Sequence, residues 1–348
     1  MSTVDVVIPC YNYARYLKGC VDSVLSQSGV CVRVLIIDDH SSDNTSEVGS
    51  RLAAADSRVE FRRHEVNKGH IATYNEGLIE WSTAEYAVLL SADDLLTPGS
   101  LGRAIRIMDA DRSIGLVYGR PFHFENEGDI PRIPELRWSH TLWNGADWLE
   151  GRCRAGHNVI SSPEVVVRGS VQRAVGGYRP ELPHTGDLEM WLRIAAVSNI
   201  AYVRGVPQAF YRVHPASMLR TKFHSKLVDL QHLKTAFDVF FQHCGEILPD
   251  SGSRLHSLAC RALAHEALWE ACRAYDRNEV AKSEAVELLR FALETHPAAT
   301  QDSSYRALRR RQRLGAVICS RTQLFVGAAI AHRIRRWLLS ERWKRHGI

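Results

Sequence analysis

The stretch Tyr86–Pro98, YAVLLSADDLLTP, constrains this chain more than any other. Tyr86 to Leu90 is a nearly unbroken apolar, β-favouring run, and it leads straight into Asp93 and Asp94. Flanked by helical patterns on both sides, such a run reads as a strand buried on both faces of a mostly parallel sheet. Ligands of open α/β sheets bind beyond the carboxyl ends of the strands. Two adjacent carboxylates placed there repel each other unless a cation or a hydrogen-bond network holds them. Hard oxygen ligands suit Mg²⁺ or Mn²⁺. On these residues alone an equal reading is that both aspartates cap a helix starting near Pro98.

The pattern repeats along the first third of the chain. Val4 to Ile8, Val34 to Ile37, Val59 to Arg63 and Gly115 to Tyr118 are the other predicted strands. Between them lie apolar helical stripes: Leu17, Val21, Val24 and Leu25, then a helix running to about Ala54. Ile71, Tyr74, Leu78 and Trp81 mark the next, and Leu101, Ile105 and Met108 the last. This alternation predicts an α/β fold with a doubly wound, largely parallel sheet. Four polar clusters, Pro9–Asn12, Asp38-Asp39, Asn67–Gly69 and Asp93-Asp94, each fall at the carboxyl end of a predicted strand. One rim therefore carries all four, and they converge on one crevice. The glycine-rich phosphate cradles GxxxxGK[ST] and GxGxxG are absent, so phosphate binding falls to a metal and scattered side chains.

Taken in order, VVIPCYN, IIDDHSSDNT, NKGHIATYNEGL and LLSADD resemble the successive motifs of family-2, GT-A-fold glycosyltransferases, over roughly Val4 to His214. The resemblance implies a GT-A mixed sheet, a nucleotide-diphospho-sugar donor with a lean to uridine, and a hydroxyl acceptor. It also implies a divalent metal, Mn²⁺ or Mg²⁺, and an inverting transfer. Carried over by position, Pro9, Tyr11, Asn12 and Asp39 would hold the nucleoside, with Tyr11 against the base and Asp39 at its edge. Asn67 and Lys68 would lie by the donor. Asp93 and Asp94 would serve the ribose and the metal-bound pyrophosphate. One departure is Ser91, where many relatives carry an acid.

The segment His184–Arg193, HTGDLEMWLR, resembles the same family's acidic motif, whose aspartate is the catalytic base. Leu188, Trp191, Leu192 and Ala195 form a helical stripe, which puts Asp187 in the first turn. The helix dipole there favours an ionised carboxylate at neutral pH. Glu189 is the second candidate, but its spacing turns it away from Asp187. Tyr211-Arg212-Val213-His214 resembles the family's closing motif, which implies His214 as a metal or diphosphate ligand. Trp138, Trp143 and Trp148 either stack on a sugar or seal the edge of the core. Glu164 receives no role.

The expected domains are 1–218, with a nucleotide half to about 120 and an acceptor half beyond it, a helical extension over 219–300, and a basic amphipathic tail over 301–348. Helix begins near Lys222, and 262–275 and 281–293 read as an antiparallel pair. From Arg306 onward there are 12 Lys or Arg and one acid, a net +11 that leaves −6 for the rest. The tail predicts contact with an anionic membrane surface, and the lack of a reading motif excludes nucleic acid. No run reaches the roughly 18 apolar residues of a membrane span. The eight cysteines make no CxxC pair, and with no secretory signal they read as reduced, packed thiols of a cytoplasmic protein, peripheral at the inner membrane face. Two rivals are a catalytically silent donor-binding or assembly protein of the same fold, favoured by Ser91, and a sugar nucleotidyltransferase. The second wants a basic glycine-rich loop after the first strand, which VVIPCYN lacks.

Overall fold

The computed structural model describes residues 1–133, 137–214, 225–244, 248 and 250–348. The chain divides into two compact units. The first holds Met1–Trp148 and the described residues from Asn158 to His214, and the second holds Leu149–His157 and the described residues from Ser225 to His346.

The first unit is built on a nine-stranded mixed sheet. Its apolar runs become β1 (Thr3–Cys10), β2 (Cys31–Asp38), β3 (Val59–Arg63) and β4 (Tyr86–Leu89), paired in parallel in the order β3-β2-β1-β4. Both faces of β1, β2 and β4 are covered, as their apolar runs require, while β3 at the edge buries only Val59. Helices α1 (Ala14–Leu25), α2 (Thr45–Ala55) and α3 (His70–Asn75) fill the connections. The stripe expected through Trp81 continues from α3 as a π-helical segment, Glu76–Trp81. Gly77 in that segment lies flat on β1; a Cβ there would sit 2.2 Å from the Val7 Cγ1 atom. A glycine is what lets helix and strand approach so closely.

After β4 the parallel repeat stops. Leu95–Leu96 forms a two-residue strand, β5, and α4 (Ser100–Ala110) follows. The helix thus begins six residues beyond Asp94, with Gly99 at its N-cap; the two aspartates do not cap it. β6 (Ile114–Phe124) does not lie beside β4, because β8 (Val166–Arg168) is inserted between them, antiparallel to both. β9 (Asn199–Arg212) then pairs in parallel with β6 and antiparallel with β5 and with β7 (Ser139–Trp143). Helices α5 (Gly145–Ala155), α6 (Gly169–Val175) and α7 (Gly186–Val197) complete the series to β9. The fold is the expected mixed α/β one, and the long β9 brings its last residues back to Asp93 and Asp94. Trp148 is fully buried and donates its indole N–H to the Tyr118 hydroxyl (3.2 Å), so this tryptophan belongs to the core.

The second unit is helical. Its elements are α8 (Lys226–His243), α9 (Gly252–Asp276), α10 (Ala285–Thr295), α11 (Ser303–Leu314), α12 (Ala316–Thr322) and α13 (Val326–His346). Leu230, Leu233 and Phe237 on α8 are buried and Leu227 is half-buried. Arg311 is buried and makes a two-pronged ion pair with Asp276 (2.8 and 2.9 Å). The expected boundary at 218 and the expected start of helix at Lys222 lie outside the described residues. The described residues expected as extension and as tail, Gly347 apart, fall in one unit. Seven of the eight cysteines are buried and Cys31 is exposed, all as free thiols.

Candidate active site

The rim loops after β1 and β2 are tied together by Asn12. Its backbone N–H donates to the Ser41 hydroxyl (2.8 Å), and its side-chain oxygen accepts from the backbone N–H of Ser42 (2.8 Å) and of Asp43 (3.3 Å). Asn12 adopts φ 60, and His40 and Ser162 also have positive φ, so three of the five such non-glycine residues among those described lie in loops of this rim. Strain of this kind persists where the surroundings over-determine it, as at binding sites. Tyr11 projects from the first loop with half its surface exposed (50 %), leaving a ring face free for a planar base, and Pro9 is the penultimate residue of β1.

Asp39 is the tie to the third loop. Its Oδ1 accepts the backbone N–H of Lys68 (2.7 Å) and lies 2.7 Å from His64 Nδ1. Its Oδ2 accepts the N–H of Gly69 (2.9 Å), which leaves that oxygen a lone pair for a ligand. Asn67 donates to the Asp39 carbonyl (3.1 Å), while the Lys68 ammonium reaches Glu76 (3.2 Å). The sequence marked Asp39 and Asn67–Gly69 as separate rim clusters; the structure joins them through the backbone.

Asp93 and Asp94 are both buried. Asp94 Oδ1 accepts the backbone N–H of Arg212 (2.8 Å), and the Arg212 guanidinium donates to the Asp93 carbonyl (3.0 Å). Asp93 Oδ2 lies 3.0 Å from His214 Nε2, which is also 3.3 Å from the Tyr13 hydroxyl. His214 Nδ1 is buried with no hydrogen-bond partner among the described residues. Burial and then the Asp93 charge push the Asp94 carboxyl well above the usual range. The three residues expected as metal ligands thus adjoin one another, but among the described residues their ligand atoms do not form a set lying mutually within 4.8 Å. Arg212 received no role from its motif. Its guanidinium stacks on the rings of Tyr16 (4.3 Å) and Phe124 (4.5 Å), and it clamps the Asp93-Asp94 turn from the end of β9.

Asp187 is the second residue of α7, in the first turn as predicted. Its Oδ2 accepts a 2.6 Å hydrogen bond from the Ser162 hydroxyl, and the Tyr178 hydroxyl donates a second. The direction of its pKa corrects the expectation from the helix dipole. Burial pushes the carboxyl up, and the hydrogen bonds from Ser162 and Tyr178 and the charges of His70 and His184 only partly offset this. A base with a raised pKa holds a proton better at neutral pH. Ser162 sits at φ 85 just before Pro163, a conformation that costs on the order of 1 kcal/mol for a residue with a Cβ. The second base candidate is spent elsewhere: Glu189 is fully buried between Arg179 (2.9 Å) and Arg193 (2.8 Å). Glu164 is buried too. Its Oε1 accepts the Ser161 N–H (2.7 Å), its Oε2 has no partner among the described residues, and burial raises its carboxyl to about 8.

Two tyrosines lie within electrostatic reach of these carboxylates. The Tyr211 hydroxyl is pushed up to about 12, first by burial and then by Asp94, Asp93 and Asp187. Tyr74 is raised by burial and then by Asp187, Asp93 and Asp94. Ser162, Tyr178, Tyr13 and Arg212 carry no motif signal strong enough to assign alone; only their partners identify them.

A mixed sheet with its polar loops gathered beyond β1, β2 and β4, facing a buried acid at a helix start, is the GT-A architecture of sugar-nucleotide transferases. Residues 5–165 match the model of glycosyl transferase family 2, and the chain carries a domain of that family. It is similar to chondroitin synthase of Pasteurella multocida, 24 % identical over 204 residues that make up 58 % of this chain and 20 % of the synthase. Among solved structures it resembles S. aureus TarS 1–349 in complex with UDP-GlcNAc, with a TM-score of 0.55 and 12 % identity over 86 % of this chain and 92 % of that one. It also resembles the mannosyltransferase PcManGT from Pyrobaculum calidifontis in complex with GDP-Man and Mn²⁺, with a TM-score of 0.56 and 18 % identity over 98 % and 84 %. At these identities the two structures speak for the fold.

Proposed function

We propose that this chain transfers a sugar from a nucleoside-diphosphate sugar, UDP-linked by preference, to an acceptor hydroxyl with inversion at the anomeric carbon. The observation that carries this reading is the buried Asp93-Asp94 turn beyond β4, held by Arg212 and adjoining His214, on a chain that matches glycosyl transferase family 2 over residues 5–165. Asp187 takes the proton of the acceptor hydroxyl on its carboxylate, while Ser162 and Tyr178 hold that carboxylate in place. The acceptor oxygen bonds to the anomeric carbon as the bond to the donor phosphate breaks, and the diphosphate leaves with the electron pair. The Tyr11 ring stacks on the base, Asp39 Oδ2 takes its edge, and Asn67 and Lys68 border the donor.

The Asp93-Asp94-His214 group suits a divalent cation. Two buried neighbouring carboxylates, one of them driven up by burial and then by the other's charge, together with an orphaned buried imidazole nitrogen, form a donor set short of positive charge. When bound there, Mn²⁺ or Mg²⁺ supplies the positive charge that a departing diphosphate needs. Ser91 leaves this set without a third acid. Calorimetric titration of UDP, GDP and dTDP, with Mn²⁺ and then with EDTA, tests the donor site. Tight, metal-dependent binding of one nucleotide supports it. No binding of any under either condition sinks it.

A second element of the reading is a cytoplasmic protein lying on an anionic membrane. None of the described helices is long and apolar enough to cross a membrane. Yet α13 exposes Ile330, Ile334, Trp337 and Leu338, each half or more open to solvent. At 100° per residue these lie on one stripe. Arg333 and Lys344 flank it on one side, Arg335 and Arg342 on the other. The opposite face turns to α9, where His332 stacks on Trp269 (4.5 Å) and Arg336 approaches Glu266 (3.9 Å). An apolar stripe with basic margins fits an anionic lipid surface. Co-sedimentation with vesicles containing phosphatidylglycerol is the check. The double variant Ile334→Glu, Trp337→Glu should lose at least about tenfold in binding, and equal binding by both proteins rules the surface out.

A further inference from the structure

We propose that the helical unit holds a second metal site, for a zinc-type transition-metal ion, formed by Asp238, His256 and Cys260. Asp238 comes from α8, and His256 and Cys260 stand four residues apart on one face of α9. One ligand atom from each of the three lies within 4.8 Å of both others.

The geometry separates this reading from a catalytic relay. A thiol–imidazole–carboxylate relay places thiol and carboxylate on opposite ring nitrogens. Here both meet the same atom: His256 Nε2 is 2.7 Å from Asp238 Oδ1 and 3.6 Å from Cys260 Sγ. A single ring nitrogen has at most one proton for these two neighbours, whereas three ligands converging on one point is what a metal ion needs. In a tetrahedral site with a nitrogen near 2.0 Å and a sulfur near 2.3 Å from zinc, those two atoms stand about 3.5 Å apart. The Asp238–His256 separation would open by about half an ångström to match the corresponding spacing of about 3.3 Å. Lys234 holds the other oxygen, Oδ2, and so orients the carboxylate with Oδ1 inward.

Access and selectivity agree. The side chains of Asp238 and His256 are each 37 % exposed and Cys260 is buried beneath them. Asp238 and His256 also line a pocket with Phe241, Gln242, Cys244 and Ser253, which leaves room for water or another small ligand in the fourth position. A donor set of sulfur, nitrogen and oxygen selects zinc or cobalt over the hard Mg²⁺ and Mn²⁺ suited to Asp93 and Asp94.

The full chain, stripped with a chelator and titrated with Co²⁺, supplies the test by absorption. The expected result is a near-ultraviolet thiolate-to-cobalt charge-transfer band that saturates at one ion per chain and is displaced by Zn²⁺. Cys260→Ser should abolish the band, and Asp94→Asn should keep it. Absence of the band in the unaltered chain, or its survival in Cys260→Ser, overturns the proposal. His256→Gln, with helix content verified by circular dichroism, should bind Zn²⁺ at least about tenfold more weakly; an unchanged affinity overturns it as well. None of these readouts depends on sugar transfer.

Discussion

Asp187→Asn is expected to lower the rate of sugar transfer by about two to four orders of magnitude while leaving nucleotide binding unchanged. The amide keeps an oxygen for the Ser162 and Tyr178 hydroxyls, so the local geometry survives and only proton acceptance is lost. Loss of the fold is not a competing explanation. The Asp187 carboxyl is raised above its unfolded value, so its ionised form costs stability, increasingly as pH climbs above the ordinary range of an aspartate carboxyl. The neutral amide removes that cost, and its melting temperature should be equal or higher. Ser162→Ala gives the second arm. Ser162 lowers the Asp187 pKa; without it the carboxyl rises further, and the acid limb of the pH–rate profile should move to higher pH. A full rate for Asp187→Asn, or an acid limb that stays put in Ser162→Ala, would falsify the assignment of the base.

Asp94→Asn should move stability and donor binding in opposite directions. Burial and the neighbouring Asp93 charge hold Asp94 well above its ordinary pKa. In the absence of a cation, its ionisation above the unfolded value is opposed by the fold. The amide should therefore melt a few degrees higher than the unaltered protein in EDTA at neutral pH. Its oxygen can still accept the Arg212 N–H that Asp94 Oδ1 takes. Metal-dependent nucleotide binding, by contrast, should fall at least about tenfold, because the remaining ligands lack one formal charge. Scanning calorimetry in EDTA and titration calorimetry with Mn²⁺ measure the two arms on one preparation. A variant that is less stable in EDTA and binds nucleotide as before would show that Asp94 is a structural acid of the turn, held by Arg212, and not a ligand.

Much of the first unit was legible in the chain itself. Apolar runs and 3.6-residue stripes are local signals, and β1 to β4 with α1, α2 and α4 follow from them. Because ligands gather beyond strand ends, the positions of Asp39, Asn67 and Asp93-Asp94 at such ends could be read without coordinates. The place of Asp187 in a first helical turn was equally local. What the sequence did not disclose depends on pairings distant along the chain. β8 enters between β4 and β6, antiparallel to both, and no local pattern encodes a neighbour some 80 residues away in sequence. Arg212 reaches Asp93 and Asp94 only because β9 runs the length of β6. Asp238 meets His256 and Cys260 only where α8 and α9 come together. The Asp187 pKa makes the division plain. From sequence, the charge on Asp187 answers to the helix dipole alone; in the folded protein, burial beneath Ser162 and Tyr178 outweighs that dipole, because desolvation is set by everything packed around a group and not by its own helix.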